Sequence, residues 1–304
     1  MHMKHLFIIN PVAGGKKGRF DETEREIKEF ARTLDAPYEI YITTAPMDAA
    51  RKVAEEAESG GSLRVYACGG DGTLNECANG AAMHPNTAVT HYPCGTGNDF
   101  IRTFGKENVA KFRDLRALAE GNICPIDLID CNGRYGINIC SVGIDARVAR
   151  DVHKYSKTPI IGGATAYVTA LVVNVIRGVR QRFRITVGDE CEDREVTLAC
   201  ACNGRFYGGG FNPVPDSLPD DGILEYLIIK GVSRIRIPFI TKAYAKGKYR
   251  ELEGTITHIR GERMKIESDC EFVVNIDGEV INTDVITFNI IHKGVNFIFP
   301  TGTV

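Results

Sequence analysis

The sequence predicts an α/β protein whose second half is mainly β: a Rossmann-like parallel sheet in the N-terminal domain, then a C-terminal β-sandwich. Three observations carry the prediction. Up to about residue 105, short apolar runs alternate with stretches of helical composition, which implies a parallel sheet joined by crossover helices. After Gly121 the rhythm changes to one strand-like run after another, the pattern of a sandwich. Two glycine-rich turns each follow a strand and precede a helical run, and open α/β sheets bind ligands at the edge where such turns gather. The 304 residues suffice for two cored domains, 1–124 and 125–304, with the last few residues free to return to the first.

Leu6 to Ile9 is the first strand, and Asn10-Pro11-Val12-Ala13-Gly14-Gly15-Lys16-Lys17 is the turn before a charged helix from Phe20 to Leu34. Tyr38 to Ile42 is the second strand, with a helix from Met47 to Glu58 behind it. Arg64 to Ala67 ends a buried strand, Thr73 to Ala82 is helical, Ala88 to Thr90 is a short strand, and Val109 to Glu120 closes the domain as one helix. In the second half, Ile126 to Asp130 and Tyr135 to Ser141 are strands joined by Asn132-Gly133, a pair that accepts the positive φ angles of a tight hairpin. Helices over Gly143 to Lys154 and Ala164 to Val179 follow, then strands over 183–187, 195–202, 223–229, 254–259, 264–267, 272–276 and 285–290. The uncharged run Thr158 to Ile176 has 19 residues, but Pro159, Gly162, Gly163 and Asn174 suit it to a loop and a buried helix better than to a membrane span.

Chemistry concentrates in the turns. Cys68-Gly69-Gly70-Asp71-Gly72-Thr73-Leu74-Asn75-Glu76 sets glycines between a strand and a helix, where backbone amides approach an anion closely and the helix dipole favours negative charge. Asp71 would repel a phosphate unless a divalent cation lay between them, so it reads as facing Mg²⁺ through water, or else as a plain helix cap. His91-Tyr92-Pro93-Cys94-Gly95-Thr96-Gly97-Asn98-Asp99-Phe100 repeats the design after the next strand, and the pairing favours the phosphate reading. Together the two stretches strongly resemble the catalytic domain shared by bacterial lipid kinases, diacylglycerol kinases, ceramide kinases and sphingosine kinases. The first alone would also suit NAD kinases and, more loosely, phosphofructokinases. The resemblance covers nearly the whole chain, most strongly from 69 to 100 and most weakly between 150 and 200.

The resemblance implies an NAD kinase/diacylglycerol kinase-like fold and an ATP-dependent lipid kinase that moves the γ-phosphoryl group onto a lipid hydroxyl, diacylglycerol being the first expectation and phosphatidic acid the product. ATP would lie on Gly69, Gly70, Asp71, Gly72, Thr73, Leu74, Asn75 and Glu76 and on Gly95 and Thr96, with Asn98 and Asp99 beside them and Mg²⁺ offsetting charge near Asp71. Asn10 would brace its turn, Lys16 could approach the phosphates, and Thr43 matches a nucleotide-touching threonine. Asp127, in Pro125-Ile126-Asp127, matches an aspartate of the family, though a lone strand-edge aspartate is as often a turn partner. Asp216 to Asp221 packs three carboxylates into six positions, which by residues alone is either a turn or a hard-cation site. The resemblance implies an ion there, held by Asp221 with the carbonyls of Leu218 and Ile223. Asn275-Ile276-Asp277-Gly278-Glu279 reads by itself as a surface hairpin at the mouth of a cleft; the resemblance points to Glu279 as the proton acceptor, with Asp277 in support.

Composition narrows the classes. A net charge of −2 gives no global basic field for nucleic acid. Ten cysteines contain no C-x-x-C, the closest approach being Cys200-x-Cys202, so neither a zinc site nor a disulfide framework is expected. No Gly-x-x-x-x-Gly-Lys-Ser/Thr motif is present, which excludes a P-loop enzyme. The first strand starts too early for a signal peptide, so the expectation is a cytoplasmic protein, peripherally associated with the membrane, whose partner is a lipid substrate at the membrane surface. A homodimer is left open. From Lys230 to Arg250 the chain has seven basic residues and no acid, interleaved with Ile235, Ile237, Phe239, Ile240 and Tyr244. Such a segment is either a surface for anionic headgroups or a solvated helix whose apolar residues pack on the β domain. The rival readings of the chain are an NAD kinase and a non-catalytic nucleotide- or lipid-binding sensor on the same fold.

Overall fold

A computed structural model describes residues 3–15, 17–156 and 163–303. The chain divides into two compact units, one made of Met1–Leu128 with His292–Val304 and the other of Ile129–Ile291.

In the first unit β1 (Lys4–Ile9), α1 (Lys17–Ala31), β2 (Tyr38–Ile42), α2 (Asp48–Glu58), β3 (Leu63–Gly69), α3 (Asp71–Ala81) and β4 (Thr87–Pro93) alternate as the periodicity predicts. β1 lies parallel to β2 on one side and β3 on the other, and β3 lies parallel to β4. β3 and β4 are buried almost throughout, which is why they read as continuous apolar runs without a polar face. A later stretch of chain, Asn296 and Phe297, adds a further parallel strand beside Ala88 and Val89.

The helix expected over Val109 to Glu120 is broken. α4 (Asp99–Arg102) and α5 (Lys106–Val109) are single turns, and α6 (Leu115–Ala119) starts afresh after Asp114. Asp114 leaves helical space at φ −90, ψ 102, and its carboxylate accepts the N–H groups of Arg116 and Ala117, a cap worth about 1 kcal/mol. The break lets Phe112 turn into a cluster with Phe104, Phe297 and Phe299, fastening the returning C-terminal residues to the helices.

One ion-pair network of this unit sets a pH dependence. Lys4 of β1 and Lys52 of α2 both bridge Glu39 of β2 and Glu56 of α2. Burial by itself would raise the Glu56 carboxyl, but hydrogen bonds and charge from Lys4 and Lys52 outweigh it and pull the pKa from 4.5 to about 2. A depressed folded-state value contributes stability above the unfolded pKa, and that stability is lost as pH falls through the folded one. Between pH 4.5 and about 2 the unfolding midpoint should therefore drop more steeply in the native chain than in Glu56→Gln. Parallel acid titrations of the two proteins, followed by circular dichroism, check this.

β5 (Asn122–Cys131) carries the chain into the second unit. There it forms a hairpin with β6 (Arg134–Gly136) through Asn132 at φ 55 and Gly133 at φ 90, both left-handed as the Asn-Gly signal requires. β7 (Ile139–Gly143), α7 (Ile144–Ser156), α8 (Gly163–Arg177), β8 (Gln181–Val187), β9 (Glu190–Cys202), β10 (Leu224–Lys230), α9 (Ile237–Tyr244), β11 (Ile256–Gly261), β12 (Arg263–Ile276) and β13 (Glu279–Phe299) follow. The antiparallel order is β11-β10-β9-β7-β12-β13. β9 and β12 are long enough to pair with β7 at one end and with β8 at the other, which curls the layer into a sandwich. The two runs expected at 264–267 and 272–276 are one strand, with a register shift between Glu267 and Phe272 that lets it bend.

Alternation along the strands serves two cores. Ala199, Ala201, Tyr226 and Ile228 face an inner core with Met264, Ile266 and Val274. Leu198, Cys200, Cys202, Leu227 and Ile229 face the other way, beneath α7, α8 and α9. All ten cysteines are free thiols.

Candidate active site

Gly69, the last residue of β3, anchors both glycine turns. Its carbonyl oxygen accepts the N–H of Cys94 at 2.8 Å and of Gly95 at 3.1 Å, and His91 Nε2 lies 3.1 Å from it. The glycines are required here by closeness and not by φ: Gly70 sits at φ −98, ψ −169, in ordinary extended space. A Cβ on Gly95 would come within 2.6 Å of the Gly70 Cα, and one on Gly69 within 2.2 Å of Thr73 Oγ1. The two turns therefore touch backbone to backbone, leaving main-chain groups where side chains would otherwise stand.

Asp71 opens α3 but spends its Oδ1 on the other turn. That oxygen accepts the N–H of Asp99 at 2.6 Å and of Phe100 at 3.3 Å, so Asp71 caps α4, a helix 28 residues further along the chain. Oδ2 lies beside Gly97, where a Cβ would come to 2.8 Å. Asn98 holds the second turn with a left-handed φ of 53 and an Nδ2 bond to the Gly95 carbonyl at 2.9 Å. Asp99 is buried and paired with Arg102, and Thr96 is exposed.

The remaining expected contacts sort by what their side chains already hold. Asn10 braces its turn, donating through Nδ2 to Thr73 Oγ1 and accepting from the Val12 N–H. Thr43 binds back to the Ile9 carbonyl through its N–H. Thr73, Leu74 and Asn75 point into the core, and Glu76 accepts the N–H of Ala49 at the start of α2. Within 69–76 the residues that are not buried are Gly70, Asp71, Gly72 and Glu76. Lys16 lies outside the described residues.

Nothing in the sequence singles out His91, which sits in an apolar strand and reads as core. It is fully buried, and its Nδ1 has no hydrogen-bond partner. Burial holds the imidazole below its usual range, partly offset by the Asp71 charge and the bond to the Gly69 carbonyl, so it is neutral at pH 7 and fixes that carbonyl from behind.

In the second unit the Asp-Gly-Glu turn separates its two acids. Asp277, at φ 51, accepts the backbone N–H groups of Ile137 at 2.5 Å, Asn138 at 3.1 Å and Ile139 at 2.8 Å. The Gly278 N–H binds Asn275 Oδ1, which fixes the turn. Glu279 follows it with a partly exposed carboxylate that enters no hydrogen bond or ion pair among the described residues. Asp277 is committed to structure, whereas Glu279 is open to a substrate.

Two acids expected to serve the site have structural partners. Asp127 is fully buried, and its Oδ1 accepts from His292 Nδ1 at 2.9 Å and from the Lys293 N–H at 2.7 Å. It pins β13 where Lys293 takes a left-handed φ of 54. Asp221 accepts from the Ile223 N–H through Oδ1 and from Arg260 Nη2 at 2.9 Å through Oδ2, and Arg260 also reaches Glu225. At the cation position expected from Leu218, Asp221 and Ile223, a guanidinium thus lies against the Asp221 carboxylate. Among the described residues no group of three or more acid, cysteine or histidine side chains is placed to hold a metal.

An apolar slot of ≈ 50 Å³ lies beneath α7, α8 and α9, lined by Val148, Leu171, Leu198, Phe211, Ile240 and Tyr244 among others, with Asp145 as its carboxylate. Burial raises the Asp145 pKa, and hydrogen bonds, including one from the Ser141 hydroxyl at 2.6 Å, partly offset the rise. The sequence signal for Asp145 was weak, a single acid in the first turn of a helix.

Residues 4–131 match the model of the diacylglycerol kinase catalytic domain, and residues 138–298 match that of the YegS C-terminal NAD kinase beta sandwich-like domain. The chain belongs to the bacterial lipid kinase family. A probable YegS-like lipid kinase of Shewanella frigidimarina is 26% identical over 308 residues, covering 99% of this chain and 95% of its own. A Staphylococcus aureus relative that bears the name "Putative lipid kinase" is 27% identical over 237 residues, 77% of this chain and 76% of its own. Among solved structures, a Bacillus anthracis chain described as a diacylglycerol kinase superposes with a TM-score of 0.72 at 22% identity, covering 99% of this chain and 98% of that one, a likeness of fold. No helix among the described residues of this lipid kinase is long and apolar enough to cross a membrane.

Proposed function

We propose that this lipid kinase transfers the γ-phosphoryl group of ATP to a lipid hydroxyl, with diacylglycerol as acceptor and phosphatidic acid as product. The observation that carries the reading is the pair of glycine turns held together at the Gly69 carbonyl. Phosphoryl transfer asks for positioning and charge stabilisation more than for covalent chemistry, and two turns locked backbone to backbone on a Rossmann-like sheet supply fixed amides for the phosphates. Asp71 Oδ2, beside Gly97, fits a water-bound Mg²⁺, which would neutralise phosphate charge. Glu279 takes the proton of the acceptor hydroxyl as its oxygen bonds to the γ-phosphorus and ADP leaves. Asp277 keeps the turn in place for it.

The experiment is labelled ATP with a panel of dispersed lipids and NAD, followed by identification of the labelled product. Phosphatidic acid is expected. Labelled NADP would replace the lipid reading with that of an NAD kinase, and bound ATP with no labelled product would leave a sensor. Glu279→Gln should lower kcat about 10²–10⁴-fold, the usual contribution of a general base, with ATP affinity kept. Near-native turnover would move the proton acceptor elsewhere.

A further inference from the structure

The segment after β10 has apolar residues on two faces, and only one is covered. Ile237, Ile240 and Tyr244 of α9 are buried and line the apolar slot. Packing on the β domain thus accounts for these three and for nothing else. Ile235, in the turn before α9, is 92% exposed and Phe239 of α9 is 64% exposed, where an outward side would be polar if water alone met it. α8 contributes a second stripe, with Val168, Val172 and Ile176 exposed at helical spacing while its Leu171 lines the same slot as Ile237 and Ile240.

Charge identifies the occupant. Lys248 and Arg250 are paired with Glu251 and Asp216, so they are neutralised locally. Arg234, Arg236, Lys242 and Lys246 are exposed and enter no ion pair among the described residues, and no acid occurs from Lys230 to Arg250. Cations thus flank two exposed apolar side chains, on a chain whose net charge is −2. A water-soluble partner helix would call for an apolar groove with a mixed rim. An isolated cationic rim around Ile235 and Phe239 matches the headgroup layer of an anionic bilayer, where bases meet phosphate and the two apolar side chains enter the acyl boundary.

We infer that the turn at 234–236 and the outer side of α9 form the docking surface of this kinase on an anionic bilayer. The inference rests on the lipid kinase reading. Docking would weaken as salt rises, since the Debye length shrinks from ~10 Å at 0.1 M to ~3 Å at 1 M.

The test uses the full chain floated with vesicles of phosphatidylcholine and phosphatidylserine, or of phosphatidylcholine alone. Binding is expected only to the first, and to fall about 10-fold or more both in Ile235→Ser with Phe239→Ser and in Arg234→Gln with Arg236→Gln and Lys242→Gln. Turnover of a short-chain, water-dispersed diacylglycerol should stay native in both, and the KM for vesicle-borne lipid should rise. Unchanged flotation overturns the inference, as does equal loss on the dispersed lipid, which would mark a folding defect. A dimer that the Ile235→Ser, Phe239→Ser variant dissociates in sedimentation would assign the face to a second copy instead. Absence of any lipid product from the native chain strikes the kinase reading itself and is seen separately, because flotation needs no turnover.

Discussion

Gly95→Ala is expected to lower phosphoryl transfer about 100-fold while the protein remains folded, because one methyl group must be placed where the Gly70 backbone already lies. The contact would be 2.6 Å to the Gly70 Cα and 3.3 Å to its nitrogen, and backbone cannot step aside as the end of a side chain can. The turns must then part by about 1 Å, a displacement that costs ~10²-fold in rate when it moves reacting groups. ATP affinity measured by calorimetry should fall with kcat. Native kinetics in this variant would mean that the paired turns do not hold the phosphates.

Asp71 is the second site of large effect, and two substitutions separate its two duties. Asp71→Ala removes both the charge and the acceptor for the Asp99 and Phe100 N–H groups, so it should lose ~10²–10³-fold in kcat and about 1–3 kcal/mol of stability. Asp71→Asn keeps an oxygen for those amides and loses only the charge. Its stability should stay near native while the rate remains low and magnesium no longer raises it. An Asn variant with native turnover would reduce Asp71 to the cap of α4.

The turns were legible because their chemistry is local. Gly-Gly-Asp-Gly and Gly-Thr-Gly-Asn-Asp announce a close backbone approach wherever they fold, and Asn132-Gly133 announces its hairpin. Partners were not legible. Which amides Asp71 would cap depended on a neighbouring strand, and the partners of Asp127 and Asp221, namely His292, Lys293 and Arg260, lie far along the chain. The helix at 109–120 failed because Asp114 can end one helix and start another at the same residue, and periodicity gives no sign of which. β13 was foreseen only at 285–290. Its outer portions carry Lys293-Gly294 and Asn282-Thr283-Asp284, turn-like residues that long-range pairing overrides.

The course of β13 has a consequence for how the protein is made. The strand leaves the Asp-Gly-Glu turn among the sandwich strands and supplies, after the whole of the second unit, the pairing of Asn296 and Phe297 with Ala88 and Val89. Everything between 129 and 291 must be synthesised before that seam can close. A ribosome that has released the whole nucleotide-side sheet sequence still holds an unfinished sheet, with β4 waiting as an open edge through the translation of the other unit. During that interval the edge is exposed to pairing with a neighbouring chain. Closure of that sheet should therefore lag behind emergence of both glycine turns and wait for Asn296 and Phe297.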